Sequence, residues 1–524
     1  MYSKGTILIT VYFILVSFTL FRMYRHNMQP DGTSYLSLAQ KYLEGDFNNA
    51  INGYWSPLIS WLMALFMSLG LEPTFSYGVV STLIGWAALI GINQLMISIE
   101  VSRYTRRLYL AALSPVIAWY SLCDISADML CACVLLHYLN TTLRDGYRIE
   151  KYSGIICGAL GAISYLAKSY NFYFFLLHFT CLNVSYCKSA ATPQQKKTII
   201  LNFASGIITF MLISGIWIGL ISTKYHTFTV STAGTYNFSH IRPGHPTDSH
   251  PVLTDGIIPP PNRTAISAWE DPYYLKLVHW NPFQSTEDFK YYIKQVVPGN
   301  IAKYLKGLAV NFILDVTILA FAVIIVLKKQ VNRNIRHILF TILLYPLGYF
   351  ALYYDGQRHV LIVPILLYIV NAYLLDIVFS RIAKIRGYRI LLSAILCVSL
   401  LALTTVRINR DDRLYLQEAN DIYRLSYTLK NHYNLREAAI ASQSGTWYQS
   451  LYLAYFLHAR YFGKVRDGIT DEELRHDLTH YGIKYYLVFG DLRNPLEILI
   501  PGKKFVSPDG DMTVYRVKDD SSTR

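Results

Sequence analysis

Long apolar runs separated by short basic stretches constrain this sequence more than any other feature. A helix that crosses a hydrocarbon core about 30 Å thick needs roughly 20 apolar residues. Such runs recur along residues 1–406, and only 16% of the side chains in the 524-residue chain are charged. A soluble domain carries about 25% charged residues. We therefore exclude a soluble enzyme, a disordered protein and a secreted disulfide scaffold, and expect a mainly α-helical, polytopic membrane protein.

The apolar runs predict about 11 transmembrane helices. The candidate spans are 5–24, 75–99, 108–122, 128–143, 152–167, 171–186, 199–221, 307–327, 337–354, 360–380 and 390–406. A further apolar run, 57–70, is short, and counting it as a span would place all the basic loops outside. Because basic loops stay in the cytoplasm, we expect 57–70 to be a juxtamembrane or re-entrant helix.

This topology gives a cytoplasmic N-terminus and an extracytoplasmic C-terminus, most simply in a plasma or inner membrane. The outer polar regions are loop 25–74, loop 222–306 and the tail 407–524. The tail holds 17 Lys and Arg against 16 Asp and Glu, so nearly all of the net charge of +14 lies in the membrane domain, in its short loops. That distribution follows membrane topology and argues against a nucleic-acid partner.

The tail has the pattern of a small α/β domain. Helical patterns cover 412–431 and 447–458, and a third helix begins at Thr470, where Glu473 completes a capping box. Strands are predicted at 438–441 and 484–489, and a hairpin at 505–517. We therefore expect two domains, a membrane domain over 1–406 and an extracytoplasmic α/β domain over 407–524.

Chemistry-bearing residues lie at the outer ends of the predicted spans. Asp31 follows the first span, at the headgroup level that a lipid-linked phosphate and a polar acceptor could both reach. Asp31 could equally cap a helix over 33–44. The same outer loop continues through Tyr35 and Trp55-Ser56-Pro57-Leu58.

Further motifs follow on the same side of the membrane. Ser126-Ala127-Asp128 opens one span, and a Gly-rich helix over 161–168 ends in Lys168. Tyr353-Tyr354-Asp355-Gly356-Gln357-Arg358-His359-Val360 precedes an apolar run that contains Pro364. Together these motifs resemble those of the glycosyltransferase C (GT-C) superfamily, membrane enzymes that use polyprenyl-phosphate sugars. Within this superfamily the chain resembles the group of protein O-mannosyltransferases and aminoarabinose transferases of lipid A.

The resemblance covers about residues 1–406 and implies a membrane-bound glycosyltransferase. Such an enzyme moves a sugar from a polyprenyl-phosphate carrier to a glycan, lipid or protein acceptor at the extracytoplasmic face. The alternative is a non-catalytic binder or transporter of lipid-linked glycans. Membrane lipids are expected partners in either case.

The resemblance also implies residue roles. Asp31 is the expected catalytic base, acting with inversion at the sugar. Asp128 is the second expected catalytic residue, which positions a substrate or helps to hold a divalent ion, with Asp124 as a competing candidate. The expected substrate-binding residues are Lys168, Arg358, His359, Tyr35 and Trp55. Lys168 and Arg358 would contact the phosphate, as a point charge and as a bidentate fork.

Structural roles remain open for several of these residues. Lys168 could extend along the helix to reach the interface, Arg358 could pair with Asp355, and Asp128 could be a helix N-cap. Asp315 and Asp376 lie inside apolar spans, where a charge is costly and often functional. Asp376 is near the inner end of its span, and we expect it to have a structural role.

Loop 222–306 offers further polar and aromatic side chains. His240, His245 and His250 recur every five residues, but prolines between them prevent a helical metal site. No cofactor is certain, and a divalent metal is possible. The aromatic residues that could stack on a sugar or lie on the membrane are Tyr236, Phe238, Trp269, Tyr273, Tyr274 and Trp280. The seven cysteines lie in or beside apolar segments and form no disulfide framework.

Overall fold

The structure is a computed structural model. It describes residues 4–244, 250–309, 332–381, 390, 393–394, 397, 413–443, 445–492, 496–507 and 510–518. In the first part of the chain the helices are α1 (Lys4–Tyr24), α2 (Pro30–Glu44), α3 (Phe47–Ala50), α4 (Leu58–Met67), α5 (Pro73–Ser98), α6 (Arg103–Leu122), α7 (Asp128–Leu143), α8 (Ser153–Ala167), α9 (Asn171–Lys188) and α10 (Pro193–Tyr225).

The remaining helices lie in loop 222–306, at the end of the membrane domain and in the tail. They are α11 (Ala233–His240), α12 (Pro251–Thr254), α13 (Thr286–Tyr291), α14 (Val297–Ala309), α15 (Arg333–Leu344), α16 (Leu347–Ala351), α17 (Ile362–Arg381), α18 (Arg413–Lys430), α19 (Trp447–Leu457) and α20 (Asp471–His480). The structure is thus mainly helical, as predicted.

Among the described residues, α1, α5 and α10 are long and apolar enough to cross a membrane by length and composition. Helices also form at the predicted spans 108–122, 128–143, 152–167 and 171–186. Several of these are short: the 16 residues of α7 extend about 24 Å at 1.5 Å per residue. The predicted spans 307–327 and 390–406 lie largely outside the described residues, so the number of spans stays a prediction.

The predicted span 337–354 is not one continuous helix. It divides into α15 and α16 at Tyr345 and Pro346. Proline lacks an N–H group and restricts the residue before it, which explains the interruption. The apolar run 57–70 forms α4, whose 10 residues are too few to cross a bilayer, in agreement with a juxtamembrane helix.

The tail forms the predicted α/β fold. Its strands are β1 (Ala439–Ser442), β2 (Arg460–Lys464), β3 (Tyr485–Phe489), β4 (Leu499–Ser507) and β5 (Gly510–Val517). The sheet order is β2-β1-β3-β5-β4. Strand β1 pairs in parallel with β2 and β3, whereas β5 pairs antiparallel with β3 and β4. The capping box between Thr470 and Glu473 is present at the start of α20.

Strand β2 is the element of the tail that the sequence does not predict. Its five residues have charged ends, and Gly463 adopts a positive φ of 103° within it. A short strand with a glycine in that conformation has a weak sequence pattern. The buried residues Tyr461 and Phe462 nevertheless pack it into the core of the tail.

Candidate functional site

Asp31 lies in the first turn of α2, which begins at Pro30 rather than at residue 33 as predicted. Gln29 occupies the N-cap position, and no side chain caps the helix. The alternative in which Asp31 caps the helix is therefore wrong. The Asp31 side chain is 19% exposed, and its carboxylate binds side chains from two distant parts of the chain.

One partner of Asp31 is Arg358, in the short turn Gln357–Val360 before α17. Nη2 of Arg358 donates to Oδ2 of Asp31 over 2.6 Å. Nε1 of Trp269, in loop 222–306, donates to the other carboxylate oxygen over 3.2 Å. Arg358 thus forms its ion pair with Asp31, and the alternative pairing with Asp355 is not the one found.

A second ion pair joins the start of α7 to the end of α8. Asp128 is the first residue of α7, while Lys168 follows the last residue of α8. The Lys168 ammonium binds Oδ1 of Asp128, and it lies 3.1 Å from Nδ1 of His359. The N-cap of α7 is Ala127, so the N-cap role considered for Asp128 is wrong. Lys168 is directed towards Asp128 and His359, and not only towards the interface.

The two ion pairs form one electrostatic unit. Burial alone would lower the pKa of the Arg358 guanidinium, but the charges of Asp31, Asp128 and Asp124 outweigh burial and raise it. Asp124, the competing candidate, therefore lies close enough to act on Arg358. Since Asp128 directly contacts Lys168, it is the better placed of the two carboxylates.

His359 is neutral in this arrangement. Burial lowers the pKa of its imidazole well below the usual value, and the charges of Lys168 and Arg358 lower it further, against the opposing charge of Asp128. An ammonium group only donates hydrogen bonds. Nδ1 of His359 therefore accepts from Lys168, and the ring proton resides on Nε2.

Tyr35 and Trp55 lie beside the ion pairs and are buried. Their rings meet edge to face with centroids 5.1 Å apart. Burial raises the pKa of the Tyr35 hydroxyl, and the charges of Asp128 and Asp31 add to this effect. Tyr35 is therefore a neutral hydrogen-bonding group, and its ring and that of Trp55 supply an aromatic wall.

Trp269 contacts the ring of Trp55 and belongs to the segment 267–271, which is bound to α2. The carbonyl oxygen of Trp269 accepts from Nε1 of Trp55 over 3.2 Å. The next residue, Glu270, is buried, accepts from Ser37 over 2.7 Å and forms a salt bridge with the buried Lys41. These contacts attach the second outer loop to α2, which carries Asp31.

Trp269 was predictable from the sequence as a possible stacking residue, but its hydrogen bond to Asp31 and the Lys41–Glu270 pair were not. Lys41 and Glu270 are 229 positions apart in the chain. A buried Lys–Glu pair has no local sequence pattern. The one available signal was the Trp-Glu-Asp segment at 269–271, whose charges lie among the aromatic residues of the loop.

The histidines of loop 222–306 do not identify a metal site. The rings of His240 and His250 stack with centroids 4.5 Å apart, and His245 lies outside the described residues. No group of three or more His, Cys, Asp or Glu among the residues that the structure describes could hold a metal ion. Asp31 and Asp128 each bind a cationic side chain, and we assign no step to a metal.

Asp376 has a structural environment. Its carboxylate accepts hydrogen bonds from the backbone N–H and hydroxyl of Ser102, over 3.0 and 2.5 Å, and from the Thr105 hydroxyl over 2.5 Å. These groups surround the start of α6, so Asp376 stabilises that helix terminus. Asp315 lies outside the described residues.

The tail contacts the second outer loop through its backbone. The N–H of Ile258 donates to the carbonyl of Phe462 over 2.6 Å, and the N–H of Tyr461 donates to the carbonyl of Ile266 over 2.7 Å. Both tail residues belong to β2. The loop therefore covers an edge strand of the sheet, and the tail holds in place the segment that leads to Trp269.

These elements build a fold that is shared by solved structures of membrane glycosyltransferases. The fold implied by the resemblance noted in the sequence is thereby confirmed. No family model matches the chain, and no curated protein sequence matches it.

Three of the similar structures illustrate the likeness. ArnT from Cupriavidus metallidurans, bound to undecaprenyl phosphate, is 14% identical with a TM-score of 0.56, and the match covers 97% of each chain. The oligosaccharyltransferase from Archaeoglobus fulgidus is 11% identical with a TM-score of 0.51, covering 91% of this chain and 69% of that one. The arabinofuranosyltransferase AftD from Mycobacteria is 13% identical with a TM-score of 0.53, covering 98% of this chain and 40% of that one.

Proposed function

We propose that this protein is an integral-membrane glycosyltransferase that takes a sugar from a polyprenyl-phosphate carrier at the extracytoplasmic face. The acceptor is a glycan, a lipid or a protein. Residues 1–406 form the membrane domain of this enzyme, and 407–524 form its extracytoplasmic domain. The complex of ArnT with undecaprenyl phosphate supports a carrier of this chemistry.

The observation that carries the proposal is the meeting of two acid–base ion pairs at the outer ends of the helices. Asp31 pairs with Arg358, and Asp128 pairs with Lys168. Glycosyl transfer from a phosphate needs a base for the acceptor proton and cations for the leaving phosphate. Both requirements are met by side chains already in contact.

In the proposed reaction, Arg358 and Lys168 bind the donor phosphate. Phosphate oxygens replace the carboxylate of Asp31 on the Arg358 guanidinium, because Arg binds phosphate and carboxylate with the same fork geometry. Asp31 is then released from its counter-charge and becomes available as a base.

The chemical step then follows at the anomeric carbon. An acceptor hydroxyl or amine attacks this carbon while its proton passes to Asp31. The bond from the anomeric carbon to the phosphate oxygen breaks, and the electron pair leaves with the phosphate. Arg358 and Lys168 stabilise the added negative charge. Attack opposite the leaving phosphate inverts the configuration.

Asp128 and His359 position the groups around Lys168. Asp128 keeps the ammonium beside the phosphate site, and the Nε2–H group of His359 is a neutral donor for a phosphate or sugar oxygen. The edge-to-face rings of Tyr35 and Trp55 give the sugar an apolar face to pack on. A divalent ion at Asp128 remains compatible with this scheme but supplies no step in it.

A second candidate function is the non-catalytic binding or transport of a lipid-linked glycan. It uses the same cations for the carrier phosphate but needs no base. The Asp31 carboxylate therefore separates the two functions: Asp31→Asn retains the size and one hydrogen-bond acceptor of the side chain, but it removes the proton acceptor.

The test is a transfer assay in membranes that contain the protein, with a panel of radiolabelled polyprenyl-phosphate sugars. We expect the wild-type protein to consume one donor and Asp31→Asn to lose at least about 100-fold in rate, as for loss of a general base. Glu44→Gln is the matched control, since Glu44 is exposed on the same helix and its carboxylate accepts a hydrogen bond from Gln40. Consumption of no donor by the wild-type protein would favour the binder or transporter.

A further inference from the structure

A groove between α9 and α10 lies at the end of the membrane domain opposite the candidate site. It encloses about 250 Å³. Helix α9 contributes Thr180, Val184 and Lys188, which share one face because they are four residues apart. Helix α10 contributes Lys196, Ile200 and Phe203 from its first turns.

Polarity changes along this groove as it does across a leaflet. Lys188 and Lys196 lie at one end, beside the connection 189–192, which the basic loops place in the cytoplasm. Val184 lies one helical turn deeper, about 6 Å from the level of Lys188, and Thr180 about 12 Å. Val184 is 48% exposed and Ile200 50% exposed, so apolar side chains are left open next to the two ammonium groups.

The charge at the mouth of the groove is positive. Among the described residues neither Lys188 nor Lys196 forms a salt bridge. Arg148 adds a third cation, since its Nη2 donates to the carbonyl of Ser189 over 2.8 Å. Among the described residues that line the groove there is no carboxylate, so no lining side chain pairs with the amine of a zwitterionic headgroup.

We propose that this groove binds an anionic glycerophospholipid of the cytoplasmic leaflet, a function separate from sugar transfer. The headgroup phosphate lies between Lys188 and Lys196, and an acyl chain lies along Val184, Ile200 and Phe203. Basic pockets between transmembrane helices on the cytoplasmic side are suited to anionic headgroups. The bound lipid fills the space between α9 and α10.

Native mass spectrometry of the full-length protein tests this site. The purified protein is exposed to equal amounts of phosphatidylglycerol and phosphatidylcholine. We expect preferential retention of one phosphatidylglycerol, and a fall of roughly 30-fold in the preference for the double variant Lys188→Gln/Lys196→Gln, from about 1 kcal/mol per lysine. Lys197→Gln is the matched control, because Lys197 is exposed in the same turn but does not line the groove.

Two further arms identify the occupant. Val184→Trp fills the groove and should reduce phosphatidylglycerol retention although both lysines remain. Inorganic phosphate should not compete with the lipid at the concentrations used. Equal retention of the two lipids by the wild-type protein, an unchanged preference in the double lysine variant, or competition by inorganic phosphate would each overturn the proposal. Retention of neither lipid would also overturn the proposal, because it would mean that another helix of the protein closes the groove.

Discussion

Arg358 illustrates how little a residue's nearest sequence neighbours decide about its role. Asp355 is three positions away, yet Arg358 pairs with Asp31, 327 positions away. The acidic and basic residues at the ends of the predicted spans could be selected from the sequence as candidate site residues, because charges beside or within membrane segments are costly and often functional. Their pairing depends on how the helices pack, and no local pattern encodes it.

The phosphate role of Arg358 gives a prediction at this scale. Arg358→Ala should raise the KM for the lipid-linked donor by at least about tenfold, because a charge-assisted bidentate contact contributes roughly 1.5–3 kcal/mol. The KM for the acceptor should change much less. Initial-rate kinetics with each substrate varied in turn measure the difference. A change only in yield or melting temperature would show that Arg358 is structural.

His26 gives a pH-dependent prediction. Its ring stacks on Tyr423 of the tail helix α18 with centroids 3.9 Å apart. Burial, with a smaller effect of the Arg25 charge, lowers the pKa of His26 to about 4, whereas an unfolded histidine has a pKa of about 6.5. As the pH falls from about 6.5 to about 4, the unfolded state therefore binds a proton that the folded state does not, and stability is lost.

His26→Phe should keep the ring contact and remove this contribution. The fall in melting temperature between pH 7 and pH 5 should then be smaller for the variant than for the wild-type protein. Melting curves of the detergent-purified protein at the two pH values supply the measurement. An equal fall in both proteins would contradict a neutral, half-buried His26.

At the scale of elements, the close approach of α2 to the connection before α7 determines where Asp31 lies. A Cβ atom at Gly32 would be 2.7 Å from Cβ of Ile125 and 3.2 Å from its carbonyl oxygen. Such a contact is shorter than side chains tolerate. Only glycine therefore lets α2 bring Asp31 next to the start of α7, where Asp128 lies.

Gly32→Ala should separate α2 from this connection. We expect the free energy of unfolding to fall by about 1–3 kcal/mol, the cost of overpacking, and the transfer rate to fall with it as Asp31 moves. Gly234→Ala is the control, since a Cβ atom at Gly234 meets no atom within 4 Å. Equal activity of the two variants would mean that this contact does not position Asp31.

The elements themselves were largely predictable. Among the described residues, helices form at the predicted apolar runs apart from the interruption of 337–354, because the hydrophobic pattern of a helix is local. The helices and the hairpin of the tail followed from the same patterns. The sequence did not reveal β2, whose stability comes from its neighbours β1 and the loop segment 258–266, and it did not reveal the break at Pro346.

For the whole molecule, the proposed function requires one particular orientation in the membrane. Introduced cysteines at Glu472 in the tail and at Lys197 in a predicted cytoplasmic loop should differ in their reaction with a membrane-impermeant maleimide. In intact cells Glu472→Cys should be labelled and Lys197→Cys should not, because basic loops remain in the cytoplasm. Labelling of Lys197→Cys alone would invert the topology and place the candidate site on the cytoplasmic side.

The tail, loop 222–306 and α2 are joined by hydrogen bonds and a salt bridge. The tail binds the loop through β2, the loop binds α2 through Glu270, and α2 carries Asp31. These links, unlike the helices, depend on contacts between residues far apart in the chain. They connect the tail, which we propose to be extracytoplasmic, to the helix that carries Asp31.

The most direct test of the central claim measures donor binding and sugar transfer in one reconstituted sample. Asp31→Asn should bind the polyprenyl-phosphate sugar at least as tightly as the wild-type protein, because Arg358 loses a competing carboxylate, while transfer falls by at least about 100-fold. Retention of transfer by Asp31→Asn, or a parallel loss of binding and transfer, would contradict the assignment of Asp31 as the base.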